Sequence, residues 1–354
     1  MTESELNQLL STISPADEAA RAAAHAHWSG LAKPLGGLGA LETLLEDAAA
    51  LTGSARLAFP RRAVLVLCAD NGVVAQGVSQ TDQSVTRAVA QSLALQRTSV
   101  CRMANAARCE VVPVDMGMAG ALVPGVQNCR IAAGTQDFTK GPAMTRAEAL
   151  EAIARGIELV RAQKAAGFSL LATGEMGIGN TTTSSAVAAV LLGRPVEGMT
   201  GRGAGLSDAG LARKRDAIRR GIAVNAPDAA DPLDVLSKLG GFDIAGLAGV
   251  FLGGALEQVP IVMDGFISGV AALCAVRLCP AAAKAVFASH CSSEPAARLV
   301  LEALGKAPLL TAGFHLGEGT GAVASLPLWD MALAVYDHCY SFMEGGITPY
   351  TPQC

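Results

Sequence analysis

The chain is short of aromatic residues, 4% of 354, and of charged ones, 16%, and its formal net charge is only −4. No block of Lys and Arg interleaved with aromatics occurs, which argues against nucleic acid or an acidic membrane surface as the main partner. There is no Cys-x-x-Cys pair. The nine cysteines (Cys68, Cys101, Cys109, Cys129, Cys274, Cys279, Cys291, Cys339 and Cys354) are odd in number, scattered and set among apolar neighbours, the pattern of reduced core thiols in a cytosol. The histidines are dispersed as well. His25 and His27 fall in an alanine-rich helical stretch where their side chains would point about 200° apart, so no metal site is legible. Met-Thr-Glu-Ser-Glu-Leu at the start lacks the basic and apolar segments of a secretory leader, and a cytoplasmic protein is expected. The greasiest region, 244–276, is interrupted by Glu257 and Asp264. It offers no charge-free run of about 18 residues for a spanning helix and reads as helix, buried strand, helix.

What is present is apolar residue in quantity, 51% of the chain, enough for a large core with a smaller appendage. Ser14-Pro15 reads as an N-cap with proline at the first helical position, opening a helix that ends near Trp28 or Leu31. Lys33 to Glu42 turns into a second helix. From Ala63 the pattern alternates. Continuous apolar runs at 63–69, 109–115, 168–173, 259–263 and 284–289 read as strands, and the stretches 84–107, 146–165, 180–192, 207–224 and 266–278 read as helices. Unbroken apolar strands separated by helices predict a doubly wound, Rossmann-like parallel sheet covered on both faces.

Such sheets bind ligands beyond the carboxyl ends of their strands. Polar residues gather at four of those ends: Asp70-Asn71-Gly72, Glu175 through Asn180, Asp264-Gly265, and His290 through Pro295. The segment Thr173-Gly-Glu-Met-Gly-Ile-Gly-Asn-Thr-Thr-Thr183 has glycines that let backbone N–H groups approach an anion, a helix start and three hydroxyls, which suits phosphate. Glu175 is the unexpected charge there, either an active-site carboxylate or a brace for the loop. A second glycine-rich loop, Thr200 to Ser207, opens a helix carrying Lys214, which either meets a phosphate as a point charge or belongs to a solvated basic face. Near the C-terminus, Glu318 stands between Gly317 and Gly319 ahead of a long apolar helix. It is either a carboxylate exposed to substrate at a loop tip or a charge opposing the helix dipole.

Taken in order, Lys33-Pro-Leu-Gly-Gly-Leu-Gly-Ala-Leu-Glu42, Ala69-Asp-Asn-Gly-Val73, Thr173 to Thr182, Gly201-Arg-Gly-Ala-Gly-Leu206, Asp264-Gly-Phe-Ile-Ser-Gly269, Ser289-His290 with Glu294-Pro295, and Leu316-Gly-Glu-Gly-Thr-Gly321 resemble the nicotinate-nucleotide–dimethylbenzimidazole phosphoribosyltransferases over nearly the whole chain. The resemblance implies transfer of phosphoribose from nicotinate mononucleotide to a benzimidazole, giving an α-linked ribazole phosphate for the nucleotide loop of cobalamin. It implies no cofactor, a homodimer, an α/β catalytic domain over 61–319 and a small helical domain from 1–60 and 320–354. By motif, Glu318 is the implied catalytic base and Glu175 a second active-site carboxylate. Gly177, Gly179, Asn180, Gly203, Lys214 and Ser292 would hold phosphate and ribose, and Ser79, Gln83, Met176 and Leu316 the acceptor base.

Asn71 stands where the family commonly has histidine, and Gln80-Thr81-Asp82 replaces an alanine-tyrosine-proline stretch beside the acceptor. These departures leave adenine or a phenolic acceptor as alternatives for the same reaction. A non-catalytic nucleotide- or base-binding protein is the rival of another class. The dinucleotide-binding and P-loop fingerprints are missing from the places those folds require, which disfavours a dehydrogenase or kinase.

Overall fold

The computed structural model describes residues 1–351. Six parallel strands form one sheet: β1 (Arg62–Ala69), β2 (Glu110–Gly117), β3 (Gln127–Asn128), β4 (Leu170–Met176), β5 (Ile261–Met263) and β6 (Val286–Ala288), in the order β3-β2-β1-β4-β5-β6. The fold is the expected doubly wound α/β arrangement. β1 lies at its centre with every residue buried, as its unbroken apolar run requires. The chain runs outward from β1 in one direction through β2 and β3, then returns beside β1 as β4. The strand order reverses between β1 and β4, where Leu67 pairs with Glu175 and Cys68 with Met176.

The helices, in chain order, are α1 (Glu3–Leu10), α2 (Glu18–Gly30), α3 (Ala40–Thr52), α4 (Ser84–Ala94), α5 (Ser99–Ala106), α6 (Arg146–Ala165), α7 (Asn180–Leu192), α8 (Val196–Met199), α9 (Asp208–Asn225), α10 (Pro232–Leu239), α11 (Phe242–Glu257), α12 (Phe266–Leu278), α13 (Ala297–Leu304) and α14 (Thr320–His338). Among the described residues none is long and apolar enough to cross a membrane. α6 and α11 pack backbone to backbone. A Cβ on Gly156 would lie 2.0 Å from the Gly246 carbonyl oxygen and one on Gly249 2.1 Å from that of Ile153, so any larger residue would force the helices apart. α2 and α3 lie against each other, α3 also against α14, and Leu31 pairs with Ser341 in an isolated bridge that ties the two ends of the chain.

Two local expectations are corrected. The first long helix is capped by Asp17, not Ser14: Asp17 Oδ1 accepts from the Ala20 N–H at 2.9 Å, and Pro15 lies outside the helix. The stretch 84–107 is two helices, because Gln96 takes φ +56° and Thr98 restarts the helix as N-cap of α5. That break brings the N-terminus of α5 close to Glu318. The short elements α1, α8, α10, α13 and β3 carried no expectation from the sequence, although α1 opens with a full capping box between Thr2 and Glu5. Eight cysteines are free among the described residues, and Cys354 lies outside them.

Candidate active site

A cleft of about 270 Å³ opens over the carboxyl ends of β4, β5 and β6. Three of the four polar strand ends line it. The fourth does not: Gly177 lies directly over Ala69–Asn71, with a Cβ there only 2.6 Å from the Ala69 carbonyl oxygen, and so roofs Asp70-Asn71-Gly72 beneath the floor. The starts of α7, α12 and α14 all border the cleft. α7 and α12 follow glycines, Gly179 and Gly265, that offer no side-chain cap. The N–H groups of Thr181, Phe266, Ile267 and Ser268 make no backbone hydrogen bond among the described residues, and all four residues line the cleft. Two helix N-termini with unpaired donors converge on one volume, an arrangement suited to a phosphate dianion.

Glu318 lines the same volume. It sits at φ +59° between Gly317 (+85°) and Gly319 (+88°), so three consecutive residues are left-handed, a conformation that only a tightly seated loop maintains for glutamate. The seat is β4. The Glu318 N–H donates to the Glu175 carbonyl at 3.2 Å, and a Cβ on Gly174 would lie 2.5 Å from the Glu318 carbonyl oxygen. Oε2 of Glu318 is buried without a hydrogen-bond partner. Burial raises this carboxyl above its ordinary value, with partial opposition from the Thr98 hydroxyl and Val100 N–H at the start of α5. A carboxylate so displaced toward neutrality, with an unclaimed oxygen, is suited to take a proton.

Glu175, at the end of β4, also lines the cleft but is 7% exposed. The Asn180 amide joins it to Asp243 on α11, donating to Glu175 Oε2 and, at 3.1 Å, to Asp243 Oδ2. Burial first, and repulsion from Asp243 next, push Glu175 well up; burial lifts Asp243 to about 6. Asp70, Asp264 and Glu318 are raised by burial too. A carboxyl raised in the fold destabilises it above the shifted value and ceases to do so once pH falls below the unfolded value. For Asp243, with 3.8 unfolded and about 6 folded, the cost above pH 6 is up to roughly 3 kcal/mol. The thermal midpoint of the substrate-free protein should therefore fall as pH rises from 5 through 6.5, with His290, depressed by burial, opposing these five acids. A midpoint that rises across that interval would show the acids to be solvated.

Gly177, Gly179, Asn180, Gly203, Ser292, Ser79, Met176 and Leu316 line the cleft together with the two glutamates. Two residues expected there do not. Gln83 turns its amide under the floor, onto the Asn71 carbonyl at 2.9 Å. Lys214 is completely buried and belongs to no solvated face. It donates to Thr181 Oγ1 at 2.8 Å and the Gly201 carbonyl at 3.1 Å, and burial lowers it to about 8 against the pull of Glu294. Having accepted from Lys214, the Thr181 hydroxyl keeps its own proton free for the cleft. Asn180 and Gly203 are committed, Asn180 to the two carboxylates and the Gly203 N–H to Glu294 Oε1 at 3.1 Å. His290 and the run from Asp264 to Gly269 were marked in the sequence as strand-end and motif residues without a role in the site, and the structure adds the N–H donors at 266–268 and the imidazole to the cleft.

Comparison with known proteins agrees with this geometry. A family model described as Phosphoribosyltransferase matches residues 13–347. A protein of Acetivibrio thermocellus named nicotinate-nucleotide–dimethylbenzimidazole phosphoribosyltransferase is 46% identical, over 91% of this chain and 92% of its own length. One of the same name from Desulforudis audaxviator is 44% identical over 97% and 98%. The crystal structure of CobT from Thermus thermophilus superposes with a TM-score of 0.89 at 40% identity, covering 94% of this chain and all of that one. With the motifs in order and the sheet, cleft and glutamate loop in place, the chain belongs to the nicotinate-nucleotide–dimethylbenzimidazole phosphoribosyltransferase family.

Proposed function

We propose that this chain transfers the phosphoribosyl group of nicotinate mononucleotide to 5,6-dimethylbenzimidazole or a related base, giving α-ribazole 5′-phosphate and nicotinate. The observation that carries the reading is a buried, unpartnered oxygen on Glu318, a residue that lines the same cleft as the open N-termini of α7 and α12. The phosphate rests against Thr181, Ser268 and Ser292, with Lys214 acting through the Thr181 hydroxyl. Met176, Val89, Phe314 and Leu316 offer apolar walls to a flat aromatic acceptor, with Ser79 at its edge. Nicotinate leaves as a pyridinium whose ring becomes neutral, so its departure needs no acid. The acceptor must lose a proton as its other nitrogen attacks C1′. Glu318 takes that proton, and displacement from the face opposite the leaving group inverts the anomeric carbon from β to α. Glu175, where ionised, favours the positive charge that develops on the ribose. The reading includes a cytoplasmic homodimer and a small helical domain from 1–60 and 320–354 beside the catalytic domain 61–319.

Incubating the purified protein with nicotinate mononucleotide and a panel of dimethylbenzimidazole, adenine and a phenol, with products identified by mass and anomeric configuration, tests the reading. An α-configured product is expected. Binding of both substrates without release of nicotinate would leave a non-catalytic binding protein. Lys214→Ala should raise KM for nicotinate mononucleotide by about 10- to 100-fold, the loss of one charge-assisted contact, with a smaller fall in kcat. An unchanged KM would remove Lys214 from phosphate binding.

A further inference from the structure

Resting on the phosphoribosyl-transfer reading, we propose that His290 is a ribose-reading residue, whose unprotonated Nε2 accepts a hydrogen bond from a sugar hydroxyl of nicotinate mononucleotide. The hydrogen bonds around the ring fix its tautomer. Ser289 Oγ has one proton, and it is given to the Met263 carbonyl at 2.6 Å, an oxygen that can only accept. The 3.0 Å contact between Ser289 Oγ and His290 Nδ1 is therefore donated by the imidazole, so Nδ1 carries the hydrogen. Asp264 Oδ1, 3.9 Å from Nδ1 and itself accepting from the Ala322 N–H at 2.9 Å, favours the same arrangement. Nε2 is left with a lone pair and no protein partner among the described residues, on a side chain that lines the cleft.

The ring is held in this orientation. Gly265 and Gly321 flank it: a Cβ on Gly321 would lie 2.0 Å from Nδ1, and one on Gly265 3.1 Å from Nε2. Phe314 meets it edge to face at 5.4 Å. The same Gly265 position lies 3.2 Å from the Ser292 Cβ, so Nε2 sits beside the phosphate end of the cleft, while Gly321 and Thr320 lead back to Glu318. The sugar must span that interval.

The substrate's chemistry then selects the partner by elimination. The phosphate dianion and the nicotinate carboxylate have no proton to donate at neutral pH, and an imidazole lone pair repels both. The acceptor's N–H is consumed by Glu318. The only remaining donors are the 2′- and 3′-hydroxyls of the ribose. A residue built to accept from a hydroxyl discriminates strongly against a ligand that lacks it, because the buried acceptor is then left unpaired.

The test measures kcat/KM, and independently Kd by calorimetry, for nicotinate mononucleotide and its 2′-deoxy and 3′-deoxy analogues, on the wild-type protein, His290→Ala and His290→Gln. One of the two analogues should lose about 10-fold or more with the wild type. His290→Ala should lose a similar factor with the complete nucleotide and become indifferent to that hydroxyl. His290→Gln, which extends an amide oxygen toward the place of Nε2, should recover part of both the affinity and the discrimination. Equal penalties for the missing hydroxyl in wild type and His290→Ala, or a wild type indifferent to both hydroxyls, would overturn the assignment. The Kd comparison reads the contact without turnover, so a wild type that binds nucleotide but forms no product would refute the transfer reaction and leave the sugar contact to be judged separately.

Discussion

Glu318→Gln is expected to lower kcat by about 10² to 10⁴ while changing KM for either substrate by no more than about threefold. The amide preserves volume and one acceptor oxygen, so the left-handed loop and the cleft should survive. What disappears is the capacity to hold the proton released by the incoming base. Because burial raises the Glu318 carboxyl, the wild-type acid limb of kcat/KM should lie above the ordinary carboxylate value of 4.5, with activity climbing as pH rises through it. In the variant, a limb assignable to this group should be gone. Normal turnover by a correctly folded Glu318→Gln protein would end its assignment as base.

The second large effect is expected from a residue with no side chain. At Gly174 an added methyl would come within 2.5 Å of the Glu318 carbonyl oxygen, 2.7 Å of its carbonyl carbon and 2.9 Å of the Gly319 nitrogen, all of them backbone atoms without a rotamer to escape into. Gly174→Ala must therefore displace the loop. A misplacement near 1 Å at a reacting group is worth about 10² in rate, and the overpacking should cost about 1–3 kcal/mol in stability. The expected signature is reduced kcat with nucleotide affinity retained, since the α7 and α12 termini do not rest on this contact. Wild-type kcat in Gly174→Ala, with the protein folded, would show that the loop tolerates the shift and that placement of Glu318 is not critical.

Much of this was legible in the residues. The buried run at 63–69 could be a strand of a covered parallel sheet and little else, and α6, α7 and α12 begin and end where their caps and glycines put them. Glu175, Glu318 and the glycines between 174 and 179 announced a polar loop at a strand end. What stayed hidden depended on tertiary contact. Lys214 looks the same in sequence whether its ammonium faces water or Thr181. Gln83 and Asp70–Asn71 belong to a polar strand end, and only the passage of Gly177 over that end places them below the floor. Asp243, just ahead of the stretch 244–276 that reads as buried helix and strand, becomes visible as a partner of Glu175 only through the Asn180 amide that joins them. The split of 84–107 turned on one left-handed glutamine, a conformation with weak residue preference.

Helix α14 begins two residues after Glu318 and is pinned near its middle, where Trp329 is wholly buried and Asp330 pairs with Arg62, at the first position of β1, and with Arg108. Arg62 lies at the amino end of the strands, and the cleft lies beyond their carboxyl ends. The helix that follows the base is thus moored to the amino end of the central strand by an ion pair outside the cleft, so the Glu318 loop is held both from β4 beside it and from the far end of the same sheet.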